Sequence, residues 1–314
     1  VTYPNVLVLN YLKTTGQTSP EVQMQAEQYI NLGYQRLLTF EVDGGGFSLF
    51  GTPPAQAFLT AYGLMEFNDM AKVHPVDPAL IERTAQWLLR QQNSDGTWAE
   101  KVYSEHWRID DQAPTTAYIA WALIEAGYGD TAEIERALEY IREQALGQED
   151  AYSLALVANA LAAAAPDDAF TQKVLDKLVG MAQDNNGAAY WEMSGKSFMG
   201  GGGKSGSVET TALAAYALLT ADAHPDVANR ALTYLVRVKD SFGTWQTTQA
   251  TILSLKALLR SVEKAGEAAE ATVTVSLNGE GTDPIHITPE TFDVVQLVTF
   301  SDRPFEGENR VEIA

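Results

Sequence analysis

The stretch Tyr103-Ser104-Glu105-His106-Trp107-Arg108-Ile109-Asp110-Asp111 sets an imidazole between aromatic residues and follows it with two carboxylates. Imidazole titrates near neutrality, so His106 has the chemistry of a base or an acyl-accepting nucleophile. Asp110 and Asp111, with Glu192 and Glu209 further on, are the acids available for paired-carboxylate chemistry such as glycoside hydrolysis. Acids that open a helix also have a plainer use, capping it and favouring its dipole. His74 and His224 each stand shortly before a proline-marked helix start and read as turn residues, while His286 falls in a strand-like stretch.

A second candidate is "FMGGGGKSG", Phe198 to Gly206, which ends in the Gly-Lys-Ser of a phosphate-binding loop. The pattern requires a glycine with four residues between it and Gly203, and Phe198 stands there instead. A phosphate cradle also follows a buried strand. The preceding "NNGAAYWEMSGKS" is polar and broken by glycine. No nucleotide is expected, and the run reads as a mobile surface connection with Lys204 exposed. A third pattern, Gln92, Gly96 and Trp98, matches the Q-x-x-x-G-x-W repeat of triterpene cyclases. The acidic D-x-D-D partner is missing, since Arg108 occupies its first position in "RIDD".

Composition narrows the field further. The formal charge is −20 and argues against a nucleic-acid partner, which would need clustered Lys and Arg. The absence of cysteine excludes disulfides, thiolate metal sites and a cysteine nucleophile within these residues, and no cofactor or metal is implied. No apolar run approaches the ~18 residues of a membrane span. Val1 opens directly onto helix-like sequence without a signal peptide, so the chain reads as a piece of a longer one.

The elements that must position these residues are helical for most of the chain. Periodicity predicts helices near 5–14, 19–41, 54–72, 77–92, 112–127, 131–145, 150–164, 167–183, 207–221, 225–238 and 247–264. Helices apolar on most sides, such as "TTAYIAWALIEAGY" and "AYSLALVANALAAAA", alternate with amphipathic ones, such as "AEIERALEYIREQ". The first kind must be surrounded by protein and the second can face water. Repeated alternation predicts two concentric rings, an α/α toroid over 1–266. "DGGGFSLFG", "NSDGTWAE", "NNGAAYWE" and "DSFGTWQTT" join a glycine turn to an aromatic that folds over the helix ends. From 267 to 314 the pattern alternates apolar and polar residues, with Asn278-Gly279 as a turn. These short strands need a covering layer and read as part of a β-sandwich.

The order of "YPNVLVLNYLKTTGQTSPEVQMQAEQYINLGYQRLLTFE", "AFLTAYGL", "WLLRQQNSDGTWAE", "TTAYIAWALIEAG", "VETTALAAYALL" and "GTWQTTQATILSLKALL" resembles the α2-macroglobulins and complement thioester proteins. The resemblance covers roughly 1–264 and implies the thioester domain of a protease trap that is extracellular or periplasmic, or at the cell surface, with 267–314 belonging to a CUB β-sandwich. It implies that the reactive C-x-E-Q motif lies just before residue 1. It implies partners as well, namely target proteases and the other domains of the parent chain, and no turnover by the fragment. His106 takes the place of the histidine that relays the acyl group in complement proteins, although its spacing to "TTAYIAWAL" is a few residues shorter. A bacterial origin is expected from the acidic, cysteine-free composition. The competing expectation is a toroid enzyme acting on carbohydrate or isoprenoid in a central cavity.

Overall fold

A computed structural model describes residues 2–98, 112–241, 243–267, 271–288, 298, 300 and 309–313, with 265–267 as backbone only. Helix starts follow local chemistry. Ser19 accepts from the Val22 N–H ahead of α2 (Pro20–Leu38), and Asp77 accepts from Ala79 ahead of α4 (Pro78–Arg90). Thr131, Asp150 and Asp168 do the same for α6 (Ala132–Ala145), α7 (Ala151–Ala164) and α8 (Ala169–Gly180). Each oxygen satisfies an amide that the first turn leaves without a helical partner. Before α10 (Pro225–Val238), His224 is left-handed and makes no side-chain cap, so proline alone marks that start.

The odd-numbered helices form the inner ring. α1 (Thr2–Thr14) packs on α2 and α3 (Ala57–Ala71), α3 on α4 and α5 (Gln112–Leu123), and α5 on α6 and α7. α7 packs on α8 and α9 (Gly203–Thr220), and α9 on α10. Every residue from Ala113 to Leu123 is buried, as is every residue from Ala151 to Ala162. In α6 only Ile134, Ala137, Ile141 and Ala145 are buried, one stripe facing inward. α11 (Thr248–Glu267) closes the circle, because Ile252 and Leu259 share a core cluster with Tyr3, Val6, Leu7 and Leu9 of α1. The architecture is therefore mainly α, an α/α toroid.

Short hairpins occupy turns of the ring. β1 (Glu41–Val42) pairs with β2 (Gly46–Phe47), and β3 (Gln183–Asn185) with β4 (Ala188–Tyr190). Asn186 and Gly187 both have positive φ, the geometry a two-residue hairpin needs. The chain divides into two compact units, Val1–Arg260 and Ser261–Ala314, a division that falls within α11. In the second unit β5 (Ala271–Val273) pairs with β8 (Ile285–Ile287). β6 (Val275–Leu277) lies between β7 (Glu280–Gly281) and β9 (Val311–Ile313). Asn278 and Gly279, at φ 55° and 85°, make the expected turn between β6 and β7.

Candidate functional site

One connection recurs at three handovers from an outer helix to an inner one, after α4, α8 and α10. The indole N–H of Trp98 donates to the Leu88 carbonyl at 2.8 Å, that of Trp191 to Leu178 at 2.7 Å and that of Trp245 to Leu235 at 2.7 Å. Each carbonyl lies in the last turn of an outer helix, where carbonyls lack helical donors. The backbone N–H of the same tryptophans is received by Thr116, Thr211 and Thr251, within the first three turns of the next inner helix. Phe47 donates likewise to Thr60 at 2.9 Å. The Q-x-x-x-G-x-W pattern belongs to this device. Gln92 Nε2 donates to the Gly96 carbonyl at 3.0 Å and to the Glu133 carbonyl at 2.7 Å, binding α4 to α6. Its residues are joints of the scaffold.

The glycine run departs from the sequence expectation. Phe198 is buried, with its ring 4.4 Å from Phe58, 5.9 Å from Tyr118 and 6.1 Å from Tyr152. Phe58 and Tyr152 lie in the first turns of α3 and α7, so Phe198 stoppers the ring at those helix ends. Ser197 and Gly201 are also buried. The Ser197 N–H donates to the Gly201 carbonyl at 2.8 Å, and the Gly201 N–H to Ser197 Oγ at 2.9 Å. Helix α9 begins at Gly203, so Gly203-Lys204-Ser205-Gly206 is helical. The run is a packed plug rather than a surface tether, because its aromatic has the ring interior to enter. Lys204 is exposed, as expected.

Glu209 lies beneath the plug, fully buried on α9. Thr247 Oγ1 donates to its Oε1 at 3.4 Å, while Oε2 has no hydrogen-bond partner among the described residues. Burial pushes this carboxyl up to about 7, against the lowering effect of bonds from Ser197 and Thr247.

A buried ionic centre lies between α1, α3 and α11. Asp69 Oδ2 accepts from Lys256 Nζ at 2.6 Å and from the Tyr3 hydroxyl at 2.7 Å, and Oδ1 accepts from Lys72 at 3.0 Å. Burial works to raise the Asp69 carboxyl, but Lys256, Lys72 and the hydrogen bonds from Lys256 and Tyr3 outweigh it and bring it down to about 2. The Lys256 ammonium also stands 5.8 Å from the Tyr216 ring and 6.0 Å from those of Tyr3 and Trp121, within cation–π range. Glu66, one turn before Asp69, is pushed the other way, up to about 7, by burial together with the Asp69 charge. Sequence reasoning missed this centre, since nothing near "TILSLKALL" points to a partner in α3.

The A-macroglobulin TED domain model matches residues 1–260. The chain belongs to that family. It is 28% identical over 271 residues to thioester-containing protein 1 allele S3 of Anopheles gambiae, covering 83% of this chain and 19% of that protein. Allele S1 of the same protein is 26% identical over 301 residues, covering 93% and 21%. Ovostatin of Gallus gallus is 27% identical over 272 residues, covering 81% and 18%. The chain thus spans about a fifth of the length of these relatives.

Of the candidates named from sequence, His106, Asp110 and Asp111 of this TED domain lie outside the described residues. Glu192 is exposed and accepts from the Tyr190 hydroxyl at 3.3 Å, whereas Glu209 is sealed within the ring. These two acids therefore do not share an open cleft. His74 packs edge-on against Tyr34, His224 bonds Asp176 at 2.8 Å, and His286 bonds Thr272 at 3.1 Å in the β5–β8 pair. A groove of about 370 Å³ is bordered by Tyr190, Glu192, Lys204 and Tyr234, the two tyrosine rings stacked at 5.1 Å.

Proposed function

We propose that this TED domain houses and shields a thioester in a protease trap of the α2-macroglobulin type. The family membership over residues 1–260 carries the reading. The anchoring of α1's first turn supports it: Tyr3 is buried, held by Asp69, and packs edge-on on Tyr62 at 5.8 Å. A first helical turn normally frays, and this one is fixed to the ring. The reactive C-x-E-Q segment of the parent chain then enters just ahead of a rigid anchor. Proteolysis elsewhere in the parent releases the shield, and the thioester acylates the attacking protease. His106 relays the acyl group to hydroxyl acceptors by nucleophilic attack through neutral imidazole. Residues 267–314 belong to an accompanying CUB sandwich, and the parent is secreted or displayed at the cell surface. The fragment has no turnover of its own. The interior filled by Phe198, Phe58, Tyr118 and Tyr152 gives no support to a cavity enzyme.

Methylamine treatment of the parent protein tests the reading: one thiol per chain is expected to be released. A parent that carries C-x-E-Q and releases none refutes the covalent mechanism. Replacing His106 with Ala is expected to shift coupling from hydroxyl toward amine acceptors, and an unchanged ratio removes His106 from the reaction.

A further inference from the structure

We infer that Ser197–Gly202 is a hinged stopper of the toroid, seated by Phe198 and released by ionisation of Glu209. This inference is independent of the thioester reading, because it concerns only residues present in this chain.

The stopper has a key and a latch. The key is the Phe198 ring, placed among Phe58, Tyr118 and Tyr152, with the Phe198 N–H donating to the Tyr152 hydroxyl at 3.3 Å. The latch is the contact between Gly201 and Glu209. A Cβ at Gly201 would collide with Glu209 Oε1 and come within 2.9 Å of Ser197 Oγ, so the Gly201 backbone lies directly against the carboxyl and a side chain there would have to displace it. Gly200 has φ of 78°, and a Cβ there would meet nothing within 4 Å. Gly202, half-buried, follows as the N-cap of α9. The segment is thus held at Phe198 and at the Gly201–Glu209 contact, with Gly200 between them and Gly202 beyond as pivots.

The carboxyl beneath the latch is half satisfied. Oε1 has Thr247 and Ser197 beside it, and Oε2 is buried without a partner. A neutral carboxyl tolerates such a place, whereas a carboxylate with a bare buried oxygen does not. Among the described residues the titratable group facing it is Tyr152 on α7, which burial and the Glu209 charge hold well above the ordinary phenol range. Tyr152 therefore stays neutral and offers no counter-charge. Ser197, from the loop, and Thr247, ahead of α11, supply only hydroxyls. Ionisation of Glu209 is relieved by water, and water reaches it when the stopper lifts.

The sign follows from linkage. A carboxyl whose closed-state pKa is raised favours the closed form at low pH and gives up that preference as pH rises toward 7. The open fraction is expected to grow by up to about tenfold per pH unit between roughly 5 and 7 and to level off above that. Hydrogen–deuterium exchange of the 314-residue chain, corrected for intrinsic rates and read on peptides spanning 193–206, measures this. Protection is expected to fall with pH in the wild type and to stay level in E209Q, whose amide keeps the shape without the charge. Peptides of α5 and α7 are expected to hold their protection throughout. Equal protection of 193–206 at pH 5 and 7 in the wild type, or the same fall in E209Q, overturns the inference. So does loss of protection in α7 in step with the loop, which would report global opening. Gly201→Ala is the second variant. It is expected to expose 193–206 at every pH while α7 stays protected, and a Gly201→Ala loop as protected as wild type overturns the latch.

Discussion

Lys256 and Asp69 are 187 residues apart in the chain and 2.6 Å apart in the fold. Both side chains are buried, at 7% and 6% exposure, so the pair joins the last inner helix to the second out of reach of screening salt. A half-removed buried pair leaves a charge without compensation. Lys256→Met is therefore expected to destabilise the domain by about 3–5 kcal/mol, measured by urea unfolding. Adding Asp69→Leu to Lys256→Met removes the stranded charge. The double variant is expected to be more stable than Lys256→Met alone, and strict additivity would show that the pair is not coupled.

Stability is expected to peak in mildly acid solution. Glu66 and Glu209 are each raised to about 7, so their contribution is complete below the ordinary carboxylate pKa and is lost as pH climbs through 7. Asp69 runs the other way. Its carboxyl is lowered to about 2, and its contribution disappears as pH falls below the ordinary range through 2. The urea midpoint is expected to be higher at pH 5 than at pH 8, by a free-energy difference on the order of 2–3 kcal/mol for each glutamate at most. Combining Glu66→Gln with Glu209→Gln is expected to flatten the profile between those values, and an unflattened profile would assign it to other groups.

The turn device predicts costs at sites of no chemical reactivity. Trp191→Phe keeps the ring and loses the indole donor, leaving the Leu178 carbonyl with the Met181 N–H. The expected loss is about 0.5–1.5 kcal/mol. Thr211→Val strands the Trp191 N–H that its hydroxyl receives at 3.1 Å, with a larger expected loss of about 1–3 kcal/mol. Thermal unfolding of the two single variants measures both.

Two glycines with similar backbones are expected to respond differently to alanine. Gly96 has φ of 84°, and a Cβ there would sit 2.6 Å from the Arg136 carbonyl. Gly187 has φ of 81° and open space around it. Backbone strain acts at both positions, about 1–2 kcal/mol, and collision is added only at Gly96. Gly96→Ala is expected to lower the unfolding midpoint well beyond Gly187→Ala, and equal shifts would show that the α4–α6 contact yields freely.

The rings were legible because the alternation of apolar and amphipathic helices runs through the chain, with caps such as Ser19-Pro20 and Asp77-Pro78 marking starts. The start of α9 was read four residues late. Glycine is a poor helix former, and the sequence does not reveal that Gly206 lies against Met193, where a Cβ would come within 2.5 Å of its methyl group. The plug was misread for the same reason: glycines signal freedom locally, and only the fold shows Phe198 seated on Phe58. The ionic centre was invisible, since Lys256 reads as one polar residue in an apolar helix and its partner lies in α3. His106 was legible as chemistry from its residue type and its place before α5, and its geometry falls outside the described residues.

The joining of α1 to α11 sets an order of events during synthesis. A ribosome delivers α1 first and α11 last, and domains settle as their parts emerge. Tyr3 can meet Asp69 as soon as α3 appears, but the ammonium that holds Asp69 ionised comes with Lys256, in the last inner helix. Until that helix leaves the exit tunnel, the cation that Asp69 has among the described residues is Lys72, the residue that caps the end of α3. The beginning of the chain is thus the last part of the ring to be made fast.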